Sequence, residues 1–256
     1  GRAPAGLTLG RLVVDEKLKR TSGEVAYLMQ PILDFELLDA WIARIQAAPL
    51  TAIDTETDSL DAMVARLVGI SLSVAPGEAA YIPLHHSYAG VPDQLPAAEV
   101  LARLKPWLED AAALKLGQNI KYDAHVFANA GIAIRGYAHD TMLQSYVLEA
   151  HKPHNLESLG QRHLGRKGLS FEDVCGKGAH QISFAQVELG RAAEYSCEDS
   201  EMTLHVHQTL WPQIESQAGL RDVYERIEMP VALLQQRIER TGVLIDAALL
   251  AAQSQQ

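Results

Sequence analysis

Leu50-Thr51-Ala52-Ile53-Asp54-Thr55-Glu56-Thr57-Asp58-Ser59-Leu60 is the stretch on which the reading of this chain turns. Its apolar entry, Leu50 to Ile53, predicts a short buried strand, and two carboxylates follow at i and i+2. Side chains alternate faces along a strand, so Asp54 and Glu56 point the same way. Two acids side by side on one face repel each other unless a positive charge stands between them. A divalent metal meets that need, because hard cations take carboxylate oxygens. Any single Asp-x-Glu is more often a solvated strand end, so the remaining ligands have to come from elsewhere in the chain.

The 256 residues suffice for one large domain, or one domain and part of another. A hydrophobic share of 48% with 21% charged residues is ordinary globular composition. The formal net charge of −10 excludes a basic coat, but nucleic-acid binding needs only a local basic groove. Two cysteines, Cys175 and Cys197, make no disulfide framework, which fits a cytosolic protein. No apolar run approaches the roughly 18 residues of a membrane span. The chain opens at Gly1 without an initiator Met or a signal-peptide pattern, so a piece of something longer is expected.

Working outward, Leu12-Val13-Val14 is strand-like, and residues 34–42 have helical spacing with Leu37, Leu38, Trp41 and Ile42 apolar. Residues 67–74 and 79–84 predict a hairpin turned by Pro76-Gly77. A helix is expected over 97–110, a short strand over 114–117, and a compact helix over 119–131 that ends at Gly131. Asp123 shares the apolar face of that helix with Val126 and Phe127, a costly place for a carboxylate without a partner. Asp140-Thr141 caps a further helix, and 155–164 predict a short one in the polar stretch 151–182. A long helix is read over 186–210, with Asp199 on its apolar stripe and Tyr195 one turn earlier on the same face. Residues 213–240 predict another long helical stretch, Val243-Leu244-Ile245 a strand, and Asp246 the cap of a last helix. A domain boundary is placed near 212, giving 1–212 and 213–256.

Asp54, Glu56, Asp123 and Asp199 together suit two metal ions about 3.5–4 Å apart, an arrangement that activates water and offsets charge at a phosphodiester. Tyr195 is placed to hydrogen-bond the attacking water. His85-His86 reads as a surface turn, His205 and His207 face different ways on their helix, and Gly176-Lys177-Gly178 is too short for a phosphate loop.

Asp54-Thr55-Glu56, Asn119-Ile120-Lys121-Tyr122-Asp123 and Tyr195-Ser196-Cys197-Glu198-Asp199 resemble the three motifs of the DEDD-class 3′–5′ proofreading exonucleases, tyrosine subtype. The wording between them, Gly117-Gln118-Asn119, Asp140-Thr141-Met142-Leu143 and Ile227-Glu228-Met229-Pro230, is similar to bacterial DNA polymerase I of family A. The resemblance implies an α/β, ribonuclease H-like mixed sheet flanked by helices. A truncated, mainly helical start of the polymerase domain would follow, without the polymerase active site.

It also implies roles. Asp54, Glu56 and Asp199 would hold one Mg²⁺, and Asp54 would bridge to a second near Asp123, with Mn²⁺ or Zn²⁺ as substitutes. Thr57 and Leu60 would grip the terminal nucleotide. Gln118, Asn119 and Phe171 would line the single-strand path, where aromatic stacking is sequence-tolerant. Lys121 reads either as a phosphate contact or as a solvated residue. The expected partners are a single-stranded DNA 3′ end and the rest of the polymerase chain. The expected state is a bacterial, cytoplasmic, nucleoid-associated monomer with no membrane contact. That family places an Arg before the His of the loop near 153; here the pair is Pro153-His154, leaving Lys152, Arg162 or Arg166 to substitute. Two rivals are an RNA-trimming exoribonuclease of the same fold and an inert structural domain.

Overall fold

The computed structural model describes residues 28–255, so the strand-like residues 12–14 lie outside the described residues. Six strands form one sheet in the order β1-β4-β3-β2-β5-β6. They are β1 (Leu28–Pro31), β2 (Thr51–Thr57), β3 (Leu67–Ala75), β4 (Glu78–Pro83), β5 (Lys115–Gly117) and β6 (Tyr137–Asp140). β2, β3 and β4 are antiparallel neighbours, while β1 pairs parallel to β4, and β5 and β6 extend the sheet parallel to β2. The expected hairpin is β3–β4, and the key strand runs on through both acids to Thr57. The four-residue strands β1 and β6 carry too little pattern to stand out in the sequence.

The helices are α1 (Phe35–Ala47), α2 (Ala97–Leu108), α3 (Ile120–Asn129), α4 (Thr141–Glu149), α5 (Leu156–Leu159), α6 (Phe171–Cys175), α7 (Leu189–Glu215), α8 (Ala218–Val223), α9 (Met229–Thr241) and α10 (Ala247–Gln253). Period-2 alternation in the strands separates two layers. Ile53, Ile70, Leu72, Ala80 and Ile82 meet Leu38, Trp41, Val100, Leu104 and Phe127 of α1, α2 and α3. On the other face Ala79 and Tyr81 meet Ala192, Ala193 and Cys197 of α7, and Ala52 meets Leu204. The even-numbered residues of β2 therefore look at α7, which puts Asp54 and Glu56 under that helix.

Tight packing on the α7 face depends on Gly69. A Cβ there would come within 2.1–2.4 Å of the Tyr81 hydroxyl and ring tip. Tyr81 is fully buried and its hydroxyl is tied to His86 Nε2 at 2.7 Å, so the ring cannot swing away. Gly69→Ala is expected to cost about 1–3 kcal/mol in urea unfolding, the usual range for overpacking. Because Gly69 pairs with Glu56 across the ladder, any nuclease activity should fall with it. Unchanged stability would mean that Tyr81 can shift after all.

Some expectations are corrected. The stretch 213–240 is not one helix: α7 ends at Glu215, Gln217 is extended, and α8, a wider turn over Tyr224–Glu228, and α9 follow. The break lets Tyr224 reach into the fold, where its hydroxyl accepts from the Asp140 amide at 2.8 Å. Val243-Leu244-Ile245 is no strand but an exposed connection before α10, having no neighbouring strand to pair with. His86 is buried rather than in a surface turn; its Nδ1 faces the Val187 carbonyl at 3.1 Å and helps to seat the start of α7.

Candidate active site

Three elements converge beside the end of β2. The strand supplies Asp54 and Glu56 from one face, and α7 lies across that face with Asp199. One oxygen of each of these three acids lies within 4.8 Å of the others. Ser196, one turn before Ser200 on the buried side of α7, donates from Oγ to Glu56 Oε1 at 2.7 Å and fixes that carboxylate. Asp123 arrives from the opposite layer. Its helix α3 shares the core of α1 and α2, and Thr55, which points to that side, donates to Asp123 Oδ1 at 2.6 Å. Asp123 thus stands beside the three-acid group rather than in it, close enough that its charge and that of Asp54 act on each other.

The electrostatics follow from burial. Loss of water pushes Asp54 up to about 7, opposed by a backbone hydrogen bond from Thr55. Glu56 is held well above the usual carboxylate range by burial, then by the charges of Asp54 and Asp199. Asp123 and Asp199 are raised by burial and then by Asp54. Four crowded acids, Glu56 and Asp123 buried and Asp54 and Asp199 half-buried, are unfavourable as a bare cluster. The all-oxygen donor set fits a hard divalent cation such as Mg²⁺ or Mn²⁺, which would replace the protons. Burial and the neighbouring carboxylates raise the Tyr195 hydroxyl, so it keeps its proton, and it hydrogen-bonds Asp199.

A cavity of ≈ 490 Å³ opens next to the acids, lined by Glu56, Thr57, Leu60, Tyr122, Phe171 and Ile182 among others. A family model described as 3′–5′ exonuclease matches residues 29–215. The chain belongs to this 3′–5′ exonuclease family. The chain is 45% identical to DNA polymerase I of Pseudomonas aeruginosa, an alignment covering 97% of this chain and 28% of that one. It therefore spans less than a third of that relative's length. Among solved structures, the POL domain of Pol1 from M. smegmatis, in complex with DNA primer-template and dNTP, is similar with a TM-score of 0.69. That match has 20% identity over 87% of this chain and 34% of the other. Escherichia coli RNase D, an exoribonuclease involved in structured RNA processing, is similar with a TM-score of 0.59 and 19% identity over 84% and 51%. At those identities the two structures bear on the fold alone, which is the ribonuclease H-like mixed sheet flanked by helices.

The exonuclease presents its other sequence-picked residues unevenly. Leu60 is 94% exposed at the tip of the turn after β2, and Phe171 is 38% exposed at the cavity wall, stacked on Phe184. Thr57 Oγ1 lies 2.5 Å from the Tyr122 hydroxyl, and both hydroxyls donate to the Ser59 carbonyl, which holds the turn in shape. Gln118 donates to the His154 carbonyl at 2.8 Å and accepts from Thr141. Asn119 takes a left-handed φ of 65° as α3 begins. Lys121 is in an ion pair with Glu239 at 2.6 Å. Of the three cations named as substitutes for Arg at 153, Arg162 is bound to Glu149 and the Pro153 carbonyl, Arg166 to Glu201, and Lys152 is exposed.

Sequence reasoning missed several supports: Ser196 on Glu56, Thr55 on Asp123, Tyr122 on the turn, and a second task for Asp140. Asp140 caps α4 through the Met142 amide at 2.8 Å, and its carboxylate also accepts from the amides of Asn119 and Ile120. A residue read as capping one helix caps two. Ser196 could have been suspected, since it sits one residue after Tyr195 and three before Asp199 on α7. Nothing in the local sequence of β2 says that Thr55 will find Asp123.

Proposed function

We propose that this exonuclease removes nucleotides one at a time from single-stranded or frayed DNA 3′ ends as the proofreading part of a DNA polymerase I. The observation that carries the proposal is the three-acid cluster, with Asp123 and Tyr195 beside it, next to a cavity of ≈ 490 Å³ that Glu56 lines. Asp54, Glu56 and Asp199 would hold one divalent ion, and Asp54 with Asp123 a second. Bound there, two ions supply a lowered water pKa and compensation for charge building on the phosphate. The chain's own groups do the rest. Ser196 keeps Glu56 in one orientation, and Thr55 does the same for Asp123. The protonated Tyr195 hydroxyl orients the attacking water. Leu60 and Phe171 offer apolar surface to a splayed base without reading its identity, which suits removal of any mispaired nucleotide. A frayed end costs less to unstack, so mismatches are favoured without base contacts.

The identity to a DNA polymerase I supports DNA as substrate and residues 213–256 as the start of a polymerase domain; a monomer working near the bacterial nucleoid is part of the same proposal. No helix among the described residues is long and apolar enough to cross a membrane. Matched 5′-labelled DNA and RNA single strands, incubated with Mg²⁺, test the proposal. DNA should shorten stepwise from the 3′ end and release nucleoside 5′-monophosphates, with RNA cut more slowly. Faster cutting of RNA would favour the exoribonuclease reading, and no cutting of either would favour the inert domain.

A further inference from the structure

The helix that carries Asp123 is held on its outer side by residues 224–240, which lie beyond the 29–215 matched by the family model. Lys121 and His125 are i and i+4 on α3, one turn apart on one face. The Glu239 carboxylate of α9 forks between them, Oε1 to Lys121 Nζ at 2.6 Å and Oε2 to His125 Nε2 at 2.8 Å. Both hydrogen bonds hold the Glu239 carboxyl below its usual range. Asp123 lies two residues from each, roughly 200° around the helix, and so points the other way, into the site. There Thr55 takes it. The helix is thus pinned from front and back at the same turn.

Two further grips flank that turn. At the C-terminal end of α3, Arg240 donates to Asn129 Oδ1 at 2.9 Å and towards the His125 carbonyl. At the N-terminal end, the Asp140 carboxylate receives the Asn119 and Ile120 amides, and Tyr224 in turn holds the Asp140 amide. Ile120 packs with Tyr224 and Met229 in one apolar cluster. His125 is 3% exposed and reaches Glu239 through its only bonded ring nitrogen. Its ring therefore transmits the position of α9 to the backbone of α3.

We infer that Glu239 is a positioning residue for the nuclease reaction: through Lys121 and His125 it sets α3 so that Asp123 stands ready for its metal, coupling the segment after α7 to the active site. The inference rests on the role proposed for Asp123. Glu239 is 41% exposed and its carboxylate bonds Lys121 and His125 rather than a candidate ligand, so its effect should appear in metal dependence before it appears in the limiting rate.

The test is a Mg²⁺ titration of single-strand cleavage by the full 256-residue chain and by the variants Glu239→Ala, Glu239→Gln and Asp54→Ala. Glu239→Ala should raise the Mg²⁺ midpoint by about tenfold, the lower end of what loss of a group orienting a metal ligand costs, while kcat at saturating Mg²⁺ stays within twofold. Glu239→Gln, which keeps an acceptor for one of the two partners, should fall between. An unshifted midpoint, a uniform loss of kcat, or a change only in KM for DNA would overturn the inference. An active Asp54→Ala variant would instead overturn the assignment of the site, so the two failures are distinguishable. Thermal unfolding in EDTA separates a misfolded variant, and Glu239→Gln then carries the test.

Discussion

Asp54→Ala is expected to abolish 3′ trimming of single-stranded DNA, by at least ~10³-fold in kcat. The scale follows from its position: it is the acid whose charge acts on Glu56, Asp123 and Asp199 alike. It would therefore be shared by both ions, and an ion in such a site contributes several kcal/mol to the transition state, each 1.36 kcal/mol being tenfold in rate. The same substitution should make the metal-free protein more stable at pH 8, since it removes a half-buried carboxylate whose charge raises the other three. A gel assay with labelled DNA and a thermal melt in EDTA read the two effects. A variant that keeps more than a tenth of the activity, or melts well below the parent, would place Asp54 in the scaffold instead.

Removing divalent metal should stop cleavage and also lower stability, by an amount that grows with pH. The folded-state pKa of Asp54 rises from 3.8 to about 7, and those of Glu56, Asp123 and Asp199 also rise. Between the two values the folded, metal-free chain holds protons that the unfolded chain has lost. For Asp54 the associated stability is complete below about 3.8 and is lost as pH rises through about 7; the raised Glu56, Asp123 and Asp199 carboxyls act in the same direction. Metal replaces those protons, so it should stabilise weakly near pH 5 and strongly near pH 8. At a metal concentration 100 times Kd the gain is about 2.7 kcal/mol, which for a chain of this size is roughly 5–10 °C in Tm. Scanning calorimetry at both pH values with Mg²⁺ or EDTA decides it, and an equal metal effect at the two would contradict the cluster's electrostatics.

Much of the site was legible because its chemistry is concentrated in short runs. Asp54 and Glu56 follow an apolar strand entry and must share a face. Asp123 and Asp199 break apolar stripes that a helix buries, where a carboxylate without a partner is costly. Tyr195 sits one turn from Asp199. The hairpin, the long helix and the cap at Asp140 were equally visible, since period and capping chemistry are local. Lys121 shows where local reading ends: a lysine in a nuclease-like motif reads as a phosphate contact or as a solvated residue, and no local signal says that its ammonium meets Glu239 from 118 residues away. His86 is similar. Two histidines after a strand look like a turn, and only the arrival of Val187 buries the second.

By itself, then, the sequence determined the alternation that turns Asp54 and Glu56 to one side, the helical faces that carry Asp123 and Asp199, and the membership in an exonuclease family. Strand and helix periods follow from backbone geometry and need no partner to be read. The tertiary structure decided which layer each acid comes from. It set Asp54, Glu56 and Asp199 together under α7, brought Asp123 round from the opposite layer onto Thr55, and set α9 against the back of α3. Those choices depend on contacts between residues far apart in the chain, and no local period encodes which distant carboxylate, hydroxyl or ammonium will arrive at a given face.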